Sequence, residues 1–175
     1  MKKLIVIMIA VFALSFSTRM AQAFEIDGSF HYATEPINSM GDGFGGGIGV
    51  AFDLLDLGVG KLMGRFDVSY ISVSKTISGT KFSGGRLPIF GGARFLFSAS
   101  PMFKPYAEAG LEVSLDELTA DTPGTATANE TTVGLGAGGG INIYLGVFFV
   151  GVNARAHLNN LKSYLTISPT VGVSF

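Results

Sequence analysis

The sequence predicts an all-β chain, an eight-stranded antiparallel up-and-down transmembrane β-barrel, and three observations predict it. Of the 175 residues 47% are hydrophobic and 14% charged, with a mean hydropathy of +0.45. Yet no run after the N-terminus reaches the roughly 20 consecutive apolar residues that a membrane helix needs. Segment after segment instead alternates apolar with polar or tiny side chains, the period of a strand. Finally, the links between these segments are by turns short and long, so that the longer links all fall at one end, as in a membrane meander with an even strand count.

Taken from the N-terminus, Lys2 and Lys3, the apolar stretch Leu4 to Phe16 and the Ala21-Gln22-Ala23 site read as a secretory signal peptide over 1–23. The domain expected at 24–175 then begins at Phe24. Strands are predicted at Phe24–Thr34, Gly43–Asp53, Lys61–Val73, Arg86–Phe97, Pro105–Leu115, Thr131–Tyr144, Val147–His157 and Ser163–Phe175. The links "LLDLGVG", "SASPMFK" and "LG" make the short end. Residues 35–42, 75–85, 116–130 and 158–162 make the long loops. The alternation of the third strand falters near Ser72, which predicts a bulge there or a strand leaving the membrane.

Cysteine is absent, which excludes a disulfide-stapled fold, a thiolate metal site and a lipid-modified N-terminal Cys. Taking Lys2, Lys3 and Arg19 from the 12 basic residues leaves nine against 13 acidic ones. No basic patch suggests nucleic acid. The "GFGGGIGV" stretch lies within a strand pattern and lacks the Gly-Lys-Ser/Thr of a phosphate loop. Asp116, Glu117 and Asp121 read as a solvated acidic loop, and no metal, cofactor or catalytic site is expected.

Parity assigns the faces. The second strand sends Phe44, Ile48, Val50 and Phe52 one way and Gly43, Gly45, Gly47, Gly49 and Ala51 the other. In the fifth, Ala107, Ala109, Leu111 and Val113 oppose Tyr106, Glu108, Gly110 and Glu112. Phe24, Phe52, Phe97, Phe148 and Phe175 all fall at the short-turn end, as one aromatic girdle at the periplasmic face would. Tyr32, Phe44 and Tyr70 are the candidates for the opposite girdle. The inward set includes Glu25, Asp27, Asn142, Asn153 and His157. A lumen salt-bridge network is predicted among Arg65, Asp67, Arg94, Glu108, Glu112 and Arg155, because charges in a low-dielectric interior must pair. Folding the fourth and fifth strands about Pro101 sets Arg94 across from Glu108.

With its signal peptide, "PYAEAGLEVS", "GLGAGGGINIY" and a last strand "LTISPTVGVSF", the mature chain resembles the small eight-stranded outer-membrane barrels of the OmpA/OmpX type. The resemblance implies insertion in the outer membrane of a Gram-negative-type cell, with outer-membrane lipid and lipopolysaccharide as surroundings. It further implies assembly by the barrel-assembly machinery, which would read the final strand through Val171, Val173 and the terminal Phe175.

The expected role is structural or interactive, a monomer displaying its long loops on a side-chain-filled barrel, with no peptidoglycan-binding domain after the last strand. Two alternatives stay open. A lipid A-modifying barrel enzyme would use His31 or His157 beside Tyr164 and Thr166, although no His-x-Ser spacing accompanies them in "RAHLNNLKSY". Outside catalysis, the two histidines read as rim residues. A soluble periplasmic lipocalin-like carrier would turn the apolar face inward around a ligand.

Overall fold

The computed structural model describes residues 24–37, 40–77, 80–121, 126–159 and 163–175. The signal peptide predicted over 1–23 and the innermost residues of the four long loops lie outside this set. The strands are β1 (Phe24–Ala33), β2 (Gly43–Asp56), β3 (Gly60–Ile77), β4 (Thr80–Phe97), β5 (Phe103–Asp121), β6 (Ala126–Leu145), β7 (Phe148–Asn159) and β8 (Tyr164–Ser174). Each pairs antiparallel with the next, and β8 closes onto β1 to complete an up-and-down barrel.

The closing seam carries the chain end. Phe24 N donates to Phe175 O at 3.2 Å and Phe175 N donates back to Phe24 O at 2.9 Å, so the terminal residue completes the hydrogen-bonded ring. Two prolines interrupt the sheet without shifting it. The bridges between β3 and β4 are missing only opposite Leu87 and Pro88, with Val68↔Ile89 and Ile71↔Arg86 in one register on either side. The β1–β8 seam skips Pro169 in the same way. Proline has no N–H to give to the ladder.

Four expectations are corrected here. Of the two alternatives at Ser72 the bulge is absent, since β3 pairs with β4 in one register up to Ile77↔Thr80, while β3 runs past its last β2 pair, Phe44↔Ser72. The register shift lies instead between β2 and β3 at Asp53/Leu55. The alternation falters at Ser72 because the inward positions turn from polar to apolar, with Ile71 and Val73 buried beneath a lid. Residues 75–85 and 116–130 are not loops for most of their length: β3–β4 and β5–β6 run on as hairpins, pairing Lys75↔Phe82 and Glu117↔Asn129. Loop 35–42, expected to be displayed, folds inward in part. Glu35 takes a left-handed φ of 40° immediately before Pro36, and Pro36 and Met40 are buried. Side chains at Gly43 and Gly84 would strike this lid, through Pro36 and Ile37 respectively.

Inside, the side chains form layers. Ala51, Met63, Leu96, Tyr106, Tyr144 and Phe149 pack as an apolar floor near the short turns. Ala33, Ile71 and Tyr164 form a ceiling near the other end. Between them glycines make room for long side chains. A Cβ at Gly49 would collide with the Arg65 guanidinium, and one at Gly136 would lie 2.9 Å from the Phe90 ring. The apolar set faces out, with Ile48 71% exposed and Leu111 64%. That polarity is opposite to what a lipocalin-like carrier requires, and the carrier reading is dropped.

Gly136→Val adds side-chain volume at a closed contact and should cost about 1–3 kcal/mol. Urea unfolding of the vesicle-inserted protein would measure this, and an unchanged midpoint would contradict the packing described.

Candidate functional site: the lumen and its ionic ladder

The middle of the lumen is held by alternating charges. On β1, Asp27 accepts from Arg65 of β3, including Nη2 at 2.9 Å. Arg65 Nε donates to Asp67 at 3.3 Å, two residues along the same strand and on the same face. Across the barrel, Arg155 of β7 donates to both Asp67 oxygens, from Nη1 at 3.0 Å and Nη2 at 2.9 Å. The same guanidinium donates to Glu108 Oε1 of β5, from Nη2 at 2.6 Å. Glu108 also accepts from Asn153 Nδ2 at 2.9 Å and from Arg94 Nη2 of β4 at 2.9 Å. Arg94 Nη1 approaches Glu25, back on β1, at 3.9 Å. Strands far apart in the sheet are thus tied across the interior by charge-assisted hydrogen bonds.

Aromatic faces support the cations. The Arg155 guanidinium lies 4.0 Å from the Phe90 ring centroid, and that of Arg94 lies 4.1 Å from Tyr106. Every carboxylate and guanidinium of the ladder is at most 7% exposed, so none can fall back on bulk water. Burial of ions is costly unless each lone pair and proton finds a partner.

Five of the six residues predicted for the network meet here: Arg65, Asp67, Arg94, Glu108 and Arg155. Glu112 does not. It sits one layer up, where Oε2 contacts His157 Nδ1 at 2.5 Å and Oε1 accepts from Ser114 Oγ at 3.0 Å and Tyr164 Oη at 3.3 Å. His157 Nε2 lies 2.9 Å from Thr166 Oγ1, and its ring stacks on Tyr164 with centroids 4.2 Å apart. His157 is therefore a core residue, 3% exposed, and not the rim residue expected. His31 also points inward, with Nδ1 2.6 Å from Ser168 Oγ and Nε2 3.0 Å from Ser29 Oγ. A cavity of about 20 Å³ lies among Ser29, His31, Asp67, Arg155, His157 and Thr166, room for about one water molecule.

Sequence reasoning placed Asp116 in an acidic loop, whereas it pairs with Arg86 through Nε at 2.6 Å and Nη2 at 2.5 Å. The signal was available, since Arg86 and Asp116 fall opposite each other once the Arg94–Glu108 register is extended upward. Tyr144, missed altogether, donates to Glu25 at 2.5 Å. No set of three or more metal-ligating side chains gathers among the described residues.

The predicted girdle residues Phe24, Phe52, Phe97, Phe148 and Phe175 face outward at the short-turn end, with Phe175 73% exposed. Val171 and Val173 share the outward face of β8 with Phe175. At the other end Tyr32 and Phe44 have ring centroids 5.4 Å apart, Phe30 joins them at 6.2 Å from Phe44, and Tyr70 is outward and exposed nearby.

An apolar exterior, aromatic residues at both ends and a packed ionic lumen belong to a closed eight-stranded β-barrel, a fold shared with small outer-membrane barrels. Solved structures of that class superpose on the chain. Ail, the attachment invasion locus protein of Yersinia pestis, matches with a TM-score of 0.61 at 10% identity, covering 89% of this chain and 100% of that one. Neisserial surface protein A matches at 0.56 and 23% identity, over 88% and 97%. The outer membrane enzyme PagL matches at 0.52 and 18% identity, over 85% and 98%. At these identities the likeness is one of fold. No protein-family model and no curated protein sequence matches the chain.

Because Glu108 serves Arg94 and Arg155 together, exchanging Arg94 and Glu108 leaves Arg155 facing a new cation, and the exchange should not restore stability. Glu108→Gln should cost about 3–5 kcal/mol as a broken buried pair. A cycle with Arg94→Met should show a coupling of about 0.5–3 kcal/mol, which additive unfolding energies would refute.

Proposed function

We propose that this chain is an integral outer-membrane β-barrel whose role is surface interaction, with no catalytic step, displayed outward on a barrel packed shut. In this reading outer-membrane lipid and lipopolysaccharide surround it. The barrel-assembly machinery inserts it through the strand that ends on Phe175, and it acts as a monomer.

The observation that carries the reading is the uneven height of the wall. Among the described residues, pairing of β6 with β7 begins at Gly134↔Asn159, and Ala126–Val133 pairs with β5 alone. On the far side of the same raised wall, β3 runs past its last β2 pair, Phe44↔Ser72, to Ile77. Outward side chains change from Leu115 and Val133 to Glu117, Asn129 and Thr131 just where the wall rises clear of the apolar belt. An unprotected strand edge of this length, with no Pro or Lys in "ATANETTV", is a template for polar contact with another polypeptide.

A second reading, a lipid-modifying enzyme, is favoured by the run of carboxylate, imidazole and hydroxyl through Glu112, His157 and Thr166. Against it, Thr166 is 3% exposed and the adjoining cavity is far too small for an acyl chain. We read the run as a hydrogen-bonded core.

The natural chain has no Cys, so Glu130→Cys on intact cells offers a single reactive thiol. A membrane-impermeant maleimide should label it without lysis. Labelling only after lysis would overturn the surface reading. His157→Ala should leave the lipid A mass spectrum of expressing cells unchanged; a lost or gained acyl species would revive the enzyme.

A further inference from the structure

The two rims differ in chemistry. At the long-hairpin rim Glu35, Lys75, Glu117 and Glu130 are exposed and charged. At the short-turn rim the turns themselves are apolar and exposed: Leu55 52%, Leu57 52%, Val59 74%, Met102 55%, Leu145 57% and Val147 56%. Turns that stand in water are ordinarily built from polar residues, Gly and Pro.

The charges of this rim are partly engaged within the protein. Lys61 Nζ donates to Asp53 at 2.5 Å, and both side chains lie on the inward parity of their strands. Asp56 Oδ1 accepts from Gly58 N at 2.8 Å, so that carboxylate shapes the turn. Lys104 Nζ lies 4.4 Å from the Tyr144 ring centroid, over the floor of the lumen.

The apolar surface is also longer than a crossing needs. About 9–11 residues of tilted strand span the hydrocarbon, yet on β2 the outward series Phe44, Ile48, Val50 and Phe52 continues past the register shift into Leu55 and Leu57. The β2–β3 tip is braced by Leu57 N donating to Gly60 O at 2.9 Å, and it is tied to the next turn by Ser98 N donating to Val59 O at 3.1 Å. It is a fixed knob, continuous with the lipid-facing belt.

Resting on the membrane reading above, we infer that the short turns do not stand clear in the periplasm but insert their apolar side chains into the lipid at the boundary of head groups and acyl chains. The occupant of this surface is the bilayer, because Phe52, Leu54 and Leu55 carry the lipid-facing belt into the turn, where the exposed Asp56 stands between Leu55 and Leu57. Burying it removes an exposed apolar rim that would otherwise drive association.

The chain has no Trp, which permits single-Trp probes at exposed positions of the full-length mature protein in phosphatidylcholine vesicles. Leu57→Trp, Met102→Trp and Val147→Trp should emit at short wavelength and lose most of their fluorescence to lipids brominated near the carbonyl end of the acyl chain. Ile48→Trp serves as the mid-belt reference and Ser74→Trp as the aqueous one. If Ile48→Trp is quenched while the turn probes behave like Ser74→Trp, the turns stand in water and the inference is overturned with the membrane reading intact. If Ile48→Trp escapes quenching too, the membrane reading itself fails and takes the inference with it.

Discussion

Each peptide group within hydrocarbon must find its partner in the sheet, since lipid supplies none. Eight strands meet that demand only by closing, and the closure of β8 on β1 fixes the register of all the others. The two prolines show how firmly. Pro88 and Pro169 each remove a donor from the ladder, yet the pairs on either side stay in step. Above the apolar belt, among the described residues, β6 pairs with β5 alone before Gly134, and β3 pairs with β4 alone after Ser72.

Closure with alternating side chains commits half of each strand to a narrow interior, and here that interior is charged. A hydrophobic filling would be simpler and often as stable. The ladder from Asp27 through Arg65, Asp67, Arg155 and Glu108 to Arg94 links β1, β3, β7, β5 and β4, and its steps β1–β3, β3–β7 and β7–β5 join strands that are not neighbours in the sheet. Its geometry is exacting, because Asp67 and Glu108 each serve two guanidiniums and Arg65 and Arg155 each serve two carboxylates. A slip of one residue in any strand would turn its charges toward lipid. The ladder thereby specifies register as well as filling space, and the glycines opposite its longest members are its steric complement.

Much of this was legible in the sequence. Strand number, order, facing and the Arg94–Glu108 register follow from parity and from the placement of Pro101, because period-two alternation leaves a strand only one way to face. What parity cannot supply is height. It assigned Glu112 to the same lumen as Arg155 but could not tell that Glu112 lies a layer higher, against His157. Nor could it foresee Pro36 and Met40 closing the mouth, since a loop that folds inward has no period to read. The long hairpins read as loops because Thr, Ala and Asn on a wall exposed on both faces do not alternate in hydropathy. Their strand character comes from pairing with a neighbour already in register.

A barrel so filled has little to offer through its middle. The floor of Tyr144, Phe149 and Met63, the ionic layer and the ceiling of Ile71 and Tyr164 succeed one another along the axis. On its outside the two rims have diverged. Among the described residues one rim carries strand edges with a single sheet neighbour beside exposed carboxylates, and the other carries exposed Leu, Val and Met on braced turns. Such a division suits a rigid body anchored in lipid at its lower end and presented to water at its upper one. Rigidity is what the charged lumen contributes to that arrangement: a wall held in fixed register below can offer its edge above in one defined shape.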